Sequence, residues 1–145
     1  TPPEIFKKLD MEFDIDVAAP IGGVDWIPCK KYFTKEEDGL KQDWEGTVWC
    51  NPPYGRNTKK WLEKFVDHNQ GVALVFARTD TLWFHETVVN ADAIVFMKGR
   101  VSFLNRGKKS SSAGAGSMLI GCGQESVEAL YNSKLGLFVD LICSR

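Results

Sequence analysis

Four consecutive residues, Asn51, Pro52, Pro53 and Tyr54, have types that suit chemistry on an amino group. Neither proline carries a backbone N–H, and each fixes its own φ. Asn51 precedes a proline and is held in extended conformations as well. The run is therefore a stiff bend that offers acceptors and withholds donors: the side-chain oxygen of Asn51 and the carbonyl of Pro52. Tyr54 sets an aromatic ring directly beside them. A flat ring bearing an amine with two N–H donors, such as adenine, fits a bend of this kind. The lone pair of an arylamine is delocalised into its ring and is a poor nucleophile. Accepting both hydrogens draws the nitrogen toward a tetrahedral, reactive form, and those contacts strengthen as positive charge develops on it. Tyr54 would stack on a base taken out of its duplex, where the amine can be reached. Asn-Pro-Pro-Tyr-Gly is also an ordinary turn sequence, so the surrounding elements must decide between the two readings.

Those elements alternate. Ile5, Phe6, Leu9 and Phe13 have helical spacing after the opening Thr-Pro-Pro. Residues 13–20 read as a first strand with acidic and small residues at its carboxyl end, and residues 21–46 as irregular. "GTVWC" is a second core strand running straight into Asn51. Trp61, Leu62, Phe65 and Val66 form the apolar face of a helix from Thr58 to His68, and "GVALVFA" is apolar throughout, as in a strand covered on both faces. A helix over residues 82–89, strands at "AIVFM", around residues 101–103 and at "SMLIGCG", and a helix at "QESVEALYN" complete the series. Strands alternating with helices predict an α/β fold with a mostly parallel sheet. Ligands of such sheets sit beyond the carboxyl ends of the strands. "DVAAP", "NPPYGR" and "ARTD" all fall at those ends and should converge.

At 145 residues with 43% hydrophobic and 26% charged residues, the chain suits one domain spanning residues 1–145. No apolar run approaches the roughly 20 residues of a membrane-spanning helix. Cys29, Cys50, Cys122 and Cys143 are scattered and there are two histidines, so neither a zinc site nor any other metal is expected and the thiols read as reduced and structural. His85 reads as structural and His68 as a solvated helix end. The net charge of −1 conceals an asymmetry: residues 93–124 hold Lys98, Arg100, Arg106, Lys108 and Lys109 without one acidic residue. Much of that stretch, residues 104–116, reads as a flexible basic loop that could lie along phosphates. Arg78 and Asp80 leave a core strand near the same place and are candidates for positioning DNA or base. Thr79 or Asp80 could equally cap the helix that follows. Of the paired acids Asp14 and Asp16, one is expected to be solvated and the other, Asp16, to bind a ligand.

The ordered set "TPPEIF", "DIDVAA", "YFTKEEDGL", "VWCNPPYG", "ARTDT" and "GRVSF" resembles the phage and prophage DNA N6-adenine methyltransferases over residues 1–120. The resemblance implies a compact Rossmann-like methyltransferase fold with a reduced set of helices. It implies methyl transfer from S-adenosylmethionine to a flipped adenine in double-stranded DNA, direct and in line, with no metal and no covalent enzyme intermediate. Asn51, Pro52, Pro53 and Tyr54 would be catalytic. Thr1, Pro2, Asp16, Ala18, Ala19, Asp38 and Asp43 would face the cofactor, with Asp43 better placed than Asp38. "DVAAP" stands where related enzymes carry a glycine-containing "DPFAGSG" loop. Arg56, Arg78, Asp80, Arg100, Arg106, Lys108 and Lys109 would meet DNA, with weak sequence preference because no separate recognition domain is present. The resemblance places the protein in the cytoplasm of a bacterial host cell. NPPY alone is shared with methyltransferases of RNA and of protein glutamine amides, and a non-catalytic DNA-binding module of the same shape is a further alternative.

Overall fold

The computed structural model describes the backbone of residues 1–105, 108–112 and 115–142, and the side chains of residues 1–101 and 115–142. Helix α1 (Pro3–Leu9) starts on a proline, where the missing N–H costs nothing, and stops at Asp10 in the left-handed region. Strand β1 (Phe13–Asp16) follows, so Phe13 belongs to the sheet rather than to the helix. In the main sheet, β2 (Cys29–Tyr32) and β9 (Gly136–Asp140) were not expected from the sequence. Between them come β3 (Val48–Cys50), α2 (Thr58–His68), β4 (Gly71–Phe76), α3 (Leu82–Glu86) and β5 (Ala93–Met97). A short 3-10 turn, Val88–Asn90, separates α3 from β5, so the helix expected over residues 82–89 is split. The side chain that caps α3 is Thr81, not Thr79 or Asp80; its hydroxyl accepts the Phe84 N–H at 3.3 Å. Strand β8 (Ser117–Cys122) and helix α4 (Gln124–Ser133) match their expected places. Residues 104–116 are not simply a loop: β6 (Ser102–Asn105) and β7 (Lys108–Ser112) pair as an antiparallel ribbon.

The main sheet has seven strands in the order β2-β1-β3-β4-β8-β5-β9. Strands β2, β1, β3 and β4 pair in parallel, while β8 pairs antiparallel with both β4 and β5, and β9 antiparallel with β5. Five strands thus point one way, and β8 and β9 the other. The reversal follows from the ribbon. The chain leaves β5 at its carboxyl end, makes β6 and β7, and enters β8 from that same end. The carboxyl ends of β1, β3, β4 and β5 consequently share one rim with the ribbon.

Both faces of the sheet are covered. Ile15, Val48, Cys50, Ala73, Val75 and Ile120 pack on one side against Trp61, Leu62 and Phe65 of α2. On the other side Trp49, Val72, Leu74 and Leu119 pack against Ile5, Phe6 and Leu9 of α1 and Leu130 of α4. The Phe6, Phe13 and Trp49 rings meet edge-on with centroids 4.7–6.3 Å apart, a geometry worth about 0.5–1.5 kcal/mol per pair beyond area burial. Gly71, at φ +148°, fixes the hand-over from α2 to β4: a Cβ there would lie 2.2 Å from the Val48 carbonyl oxygen. Among the described residues no helix is long and apolar enough to cross a membrane.

Candidate active site

The ladder between β3 and β4 ends at the pair Cys50 and Ala73, and Asn51 begins the bend. Pro52 is buried, whereas Pro53 and Tyr54 are exposed. The far side of the bend is closed by Thr58, whose hydroxyl donates to the Gly55 carbonyl at 3.1 Å and accepts the Gly55 N–H at 3.3 Å. The Asn51 amide donates to the Thr1 hydroxyl at 3.5 Å, which turns its carbonyl oxygen toward the opposite side. Among the described residues, neither that oxygen nor the Pro52 carbonyl accepts a hydrogen bond. Tyr54 lies with its ring stacked on Phe76, centroids 4.3 Å apart and planes 20° from parallel, and its hydroxyl accepts the Phe76 N–H at 2.5 Å. Burial pushes the Tyr54 hydroxyl pKa up to about 12, so the phenol stays neutral at physiological pH.

Beside Asn51 and Pro53 opens a pocket of about 570 Å³. Ala18 and Ala19, in the turn after β1, line it with small side chains; Asn57 and Trp61 close it from α2. The opposite wall is Asp38, Gly39 and Leu40, which belong to a strap formed by residues 34–41. Thr34 begins the strap with a capping-box arrangement: its N–H and hydroxyl both reach the Glu37 carboxylate, at 2.9 and 3.1 Å. Asp38, at φ +57°, then accepts the Leu40 N–H and starts the 3-10 turn Gly39–Lys41. Gly39 is pressed so closely onto the end of β1 that a Cβ would lie 2.0 Å from the Val17 carbonyl and 2.9 Å from the Trp61 ring. Trp44 donates its indole N–H to the Gly39 carbonyl at 2.8 Å. The Lys64 ammonium reaches the Leu40 carbonyl at 2.9 Å and also donates to the Gln42 carbonyl.

Asp16 sits beneath the Ala18 amide rather than on the pocket wall. It is 3% exposed, and its carboxylate accepts the Ala18 N–H at 3.3 Å. Burial raises its pKa to about 6, with the Ala18 hydrogen bond acting in the opposite sense. Asp14 takes the other role. It pairs with Lys30 at 3.2 Å and accepts the Thr47 N–H, contacts that hold its pKa below the ordinary value, the Thr47 hydrogen bond most of all. Asp14 is thus the more solvated of the two acids and Asp16 the buried one.

The bend, Asp16, Ala18, Ala19, Asp38 and Thr1 are brought together. Thr1 also accepts the Trp26 indole N–H at 2.8 Å through its carbonyl, which anchors the chain start and Pro2 beside the bend. Asp43, which the sequence placed ahead of Asp38 as a cofactor residue, is exposed and absent from the pocket wall, whereas Asp38 lines it. Arg56, Arg78, Asp80 and Arg100 are all exposed and follow the carboxyl ends of β3, β4 and β5 on the rim. Arg106 lies outside the described residues, as do the side chains of Lys108 and Lys109. His68 is not simply solvated: its imidazole meets the Gly46 carbonyl at 2.6 Å and lies edge-on to Trp44. Thr34, Lys35, Asn57 and Trp61 line the pocket without having been singled out. The Thr-x-x-Glu spacing of Thr34 and Glu37 was the available signal for the strap. A larger concavity, of about 720 Å³, lies against α1 and the start of β1 and touches none of the bend residues.

The family model described as DNA N-6-adenine-methyltransferase (Dam) matches residues 1–126. The chain is 33% identical over 106 residues to a DNA N-6-adenine-methyltransferase of Escherichia phage T1, covering 68% of this chain and 43% of that protein. It is 30% identical over 105 residues to a protein of the same description from Haemophilus phage HP1, covering 68% and 59%. It therefore spans about half the length of the curated relatives it matches. No solved structure matches. With the model covering all of β1 to β8 and the bend in its expected setting, the chain belongs to the DNA N-6-adenine-methyltransferase (Dam) family.

Proposed function

We propose that this domain methylates the N6 amine of adenine in double-stranded DNA, using S-adenosylmethionine. The observation that carries the reading is the pair of acceptors without a partner among the described residues, the Asn51 side-chain oxygen and the next residue's carbonyl at Pro52, with Asn51 itself on the wall of the pocket lined by Ala18, Ala19 and Asp38. The residues fit the cofactor. Small side chains at Ala18 and Ala19 leave the pocket open, Asp38 presents a carboxylate in the wall, and the buried Asp16 carboxylate supplies negative potential behind the Ala18 amide. Asp16, Ala18, Ala19 and Asp38 would hold it, and when bound it supplies an electrophilic methyl group.

The chain's own part is positioning and charge. Asn51 and Pro52 accept the two hydrogens of the adenine amine, localise its lone pair and stabilise the positive charge that grows on nitrogen during transfer. Pro52 and Pro53 hold the backbone of both acceptors rigid, so no reorganisation is needed as that charge develops. Tyr54 supplies a stacking face, and Arg56, Arg78 and Arg100 on the rim meet phosphates. The amine's surplus proton leaves to water after transfer.

The test is direct. Incubate the chain with labelled S-adenosylmethionine and a competing mixture of unmethylated duplex DNA, RNA and a glutamine-bearing protein, then digest to nucleosides and amino acids. Label is expected in N6-methyladenine from DNA. Label confined to RNA or glutamine, or incorporated nowhere, overturns the reading.

A further inference from the structure

We propose that Phe76 is a positioning residue for the base: it holds the Tyr54 ring as a fixed stacking platform, and the Tyr54 hydroxyl serves that hold rather than the substrate. The inference rests on the reading of residues 51–54 as a base-amine site and adds a residue to it.

Its origin lies in the sheet. Strand β4 continues to Phe76, three residues beyond Ala73, where its pairing with β3 stops. Backbone groups alternate sides along a strand, and the Ala77 N–H bonds to the Gly116 carbonyl on the β8 side at 2.8 Å. The Phe76 N–H therefore points to the β3 side, where Pro52 and Pro53 have replaced the neighbouring strand. A backbone donor in a sheet needs a partner where the neighbouring strand has ended. Tyr54 provides it: its hydroxyl accepts that N–H while its ring lies flat on the Phe76 ring. Hydroxyl and ring face are both committed to one residue, so the tyrosine is fixed at two points. Tyr54 nevertheless remains 44% exposed, so the fixed ring still offers surface to solvent three residues along the chain from Asn51. The Arg78 guanidinium lies 5.6 Å from the Phe76 ring centroid, which ties the same platform to a cation of the rim.

A platform set before the base arrives spares the ordering of an aromatic side chain during binding. Removing the Phe76 ring should cost about tenfold in kcat/KM, the scale of one aromatic stacking pair. The experiment compares F76A, F76L and F76Y in the full chain, with steady-state methylation of unmethylated bacterial genomic DNA, calorimetric titration of S-adenosylmethionine, and thermal unfolding. The expected result is that F76A and F76L both lose kcat/KM for DNA by about tenfold, F76Y restores it, and cofactor affinity stays within about twofold throughout. Y54F should lose less, about threefold, because the ring survives without its anchor. The Y54F/F76A double variant should be no worse than F76A alone, since both changes release the same ring. If Phe76 only filled space, F76L would match wild type, or cofactor affinity would fall in step with stability; either result overturns the proposal while leaving the base-site reading intact. A wild-type chain that methylates no DNA overturns both together.

Discussion

The bend at residues 51–54 and the strap at residues 34–41 line one pocket, and they are rigid for different reasons. The bend is stiff covalently: two pyrrolidine rings fix its dihedrals, and local contacts from Thr58 and Phe76 finish the work. The strap holds no proline and contains one residue at positive φ, Asp38. It keeps its shape because Trp44, Trp61 and Lys64 reach in from elsewhere in the chain. Rigidity of the first kind travels with the residues themselves. Rigidity of the second kind exists only once the domain has folded, and it is lost when a distant partner changes. The difference predicts that changes in the bend strike turnover, whereas changes around the strap strike cofactor affinity and stability together.

Asn51→Ala is the strongest test on the bend side. It should lower kcat by about 100-fold or more, the scale of losing one preorganised polar contact to developing charge, with cofactor affinity by calorimetry unchanged. Loss of both would break the distinction.

Asp16 comes next, because it separates binding from stability. Its folded-state pKa of about 6 lies above the ordinary 3.8. Below pH ~4 both folded and unfolded chains carry its proton. As pH rises through about 6 the folded chain must ionise a buried acid, so stability declines across that window, by on the order of 3 kcal/mol in all. Asp16→Asn should flatten that part of the profile and leave the cofactor-free chain more stable than wild type at pH 8, as measured by denaturant titration. It should weaken cofactor binding at the same pH.

On the strap, Gly39→Ala forces a methyl against the Val17 carbonyl and should cost about 1–3 kcal/mol. The loss should appear in Tm and in cofactor Kd, while kcat at saturating cofactor is kept. Lys64→Met removes the ammonium that holds the Leu40 and Gln42 carbonyls. It should weaken cofactor binding by about threefold and lower stability by about 1 kcal/mol. Asp43→Asn, off the pocket wall, should change neither quantity, which makes it the control for this side.

The same division explains what was legible in the sequence. The bend could be read because its chemistry is local, and α2 and β4 because Trp61, Leu62 and Phe65 keep helical spacing while "GVALVF" is apolar on both faces. Strands β2 and β9 escaped because they are edges, half covered at most: Lys30, Lys31 and Tyr32 are exposed, as are Gly136 and Leu137. Their pairing comes from neighbours distant in the chain rather than from an apolar pattern of their own. The strap escaped for a related reason. "TKEEDGL" contains a capping-box spacing, but nothing within it announces that Gly39 must lie against Val17 and Trp61. The choice between Asp38 and Asp43 depended on that contact. The start of β6 was expected as a strand, but the rest of the ribbon, β7 included, read as a loop because serine, glycine and lysine favour turns over strands, and its pairing is backbone pairing.

The backward course of β8 has a consequence for insertions. Because the strand enters from the rim, an insertion between β5 and β8 would be delivered to the end of the sheet that carries the bend, and both ladders flanking β8 could stay in register. The topology thus gives this architecture a socket at that rim that can change while the interior stays untouched.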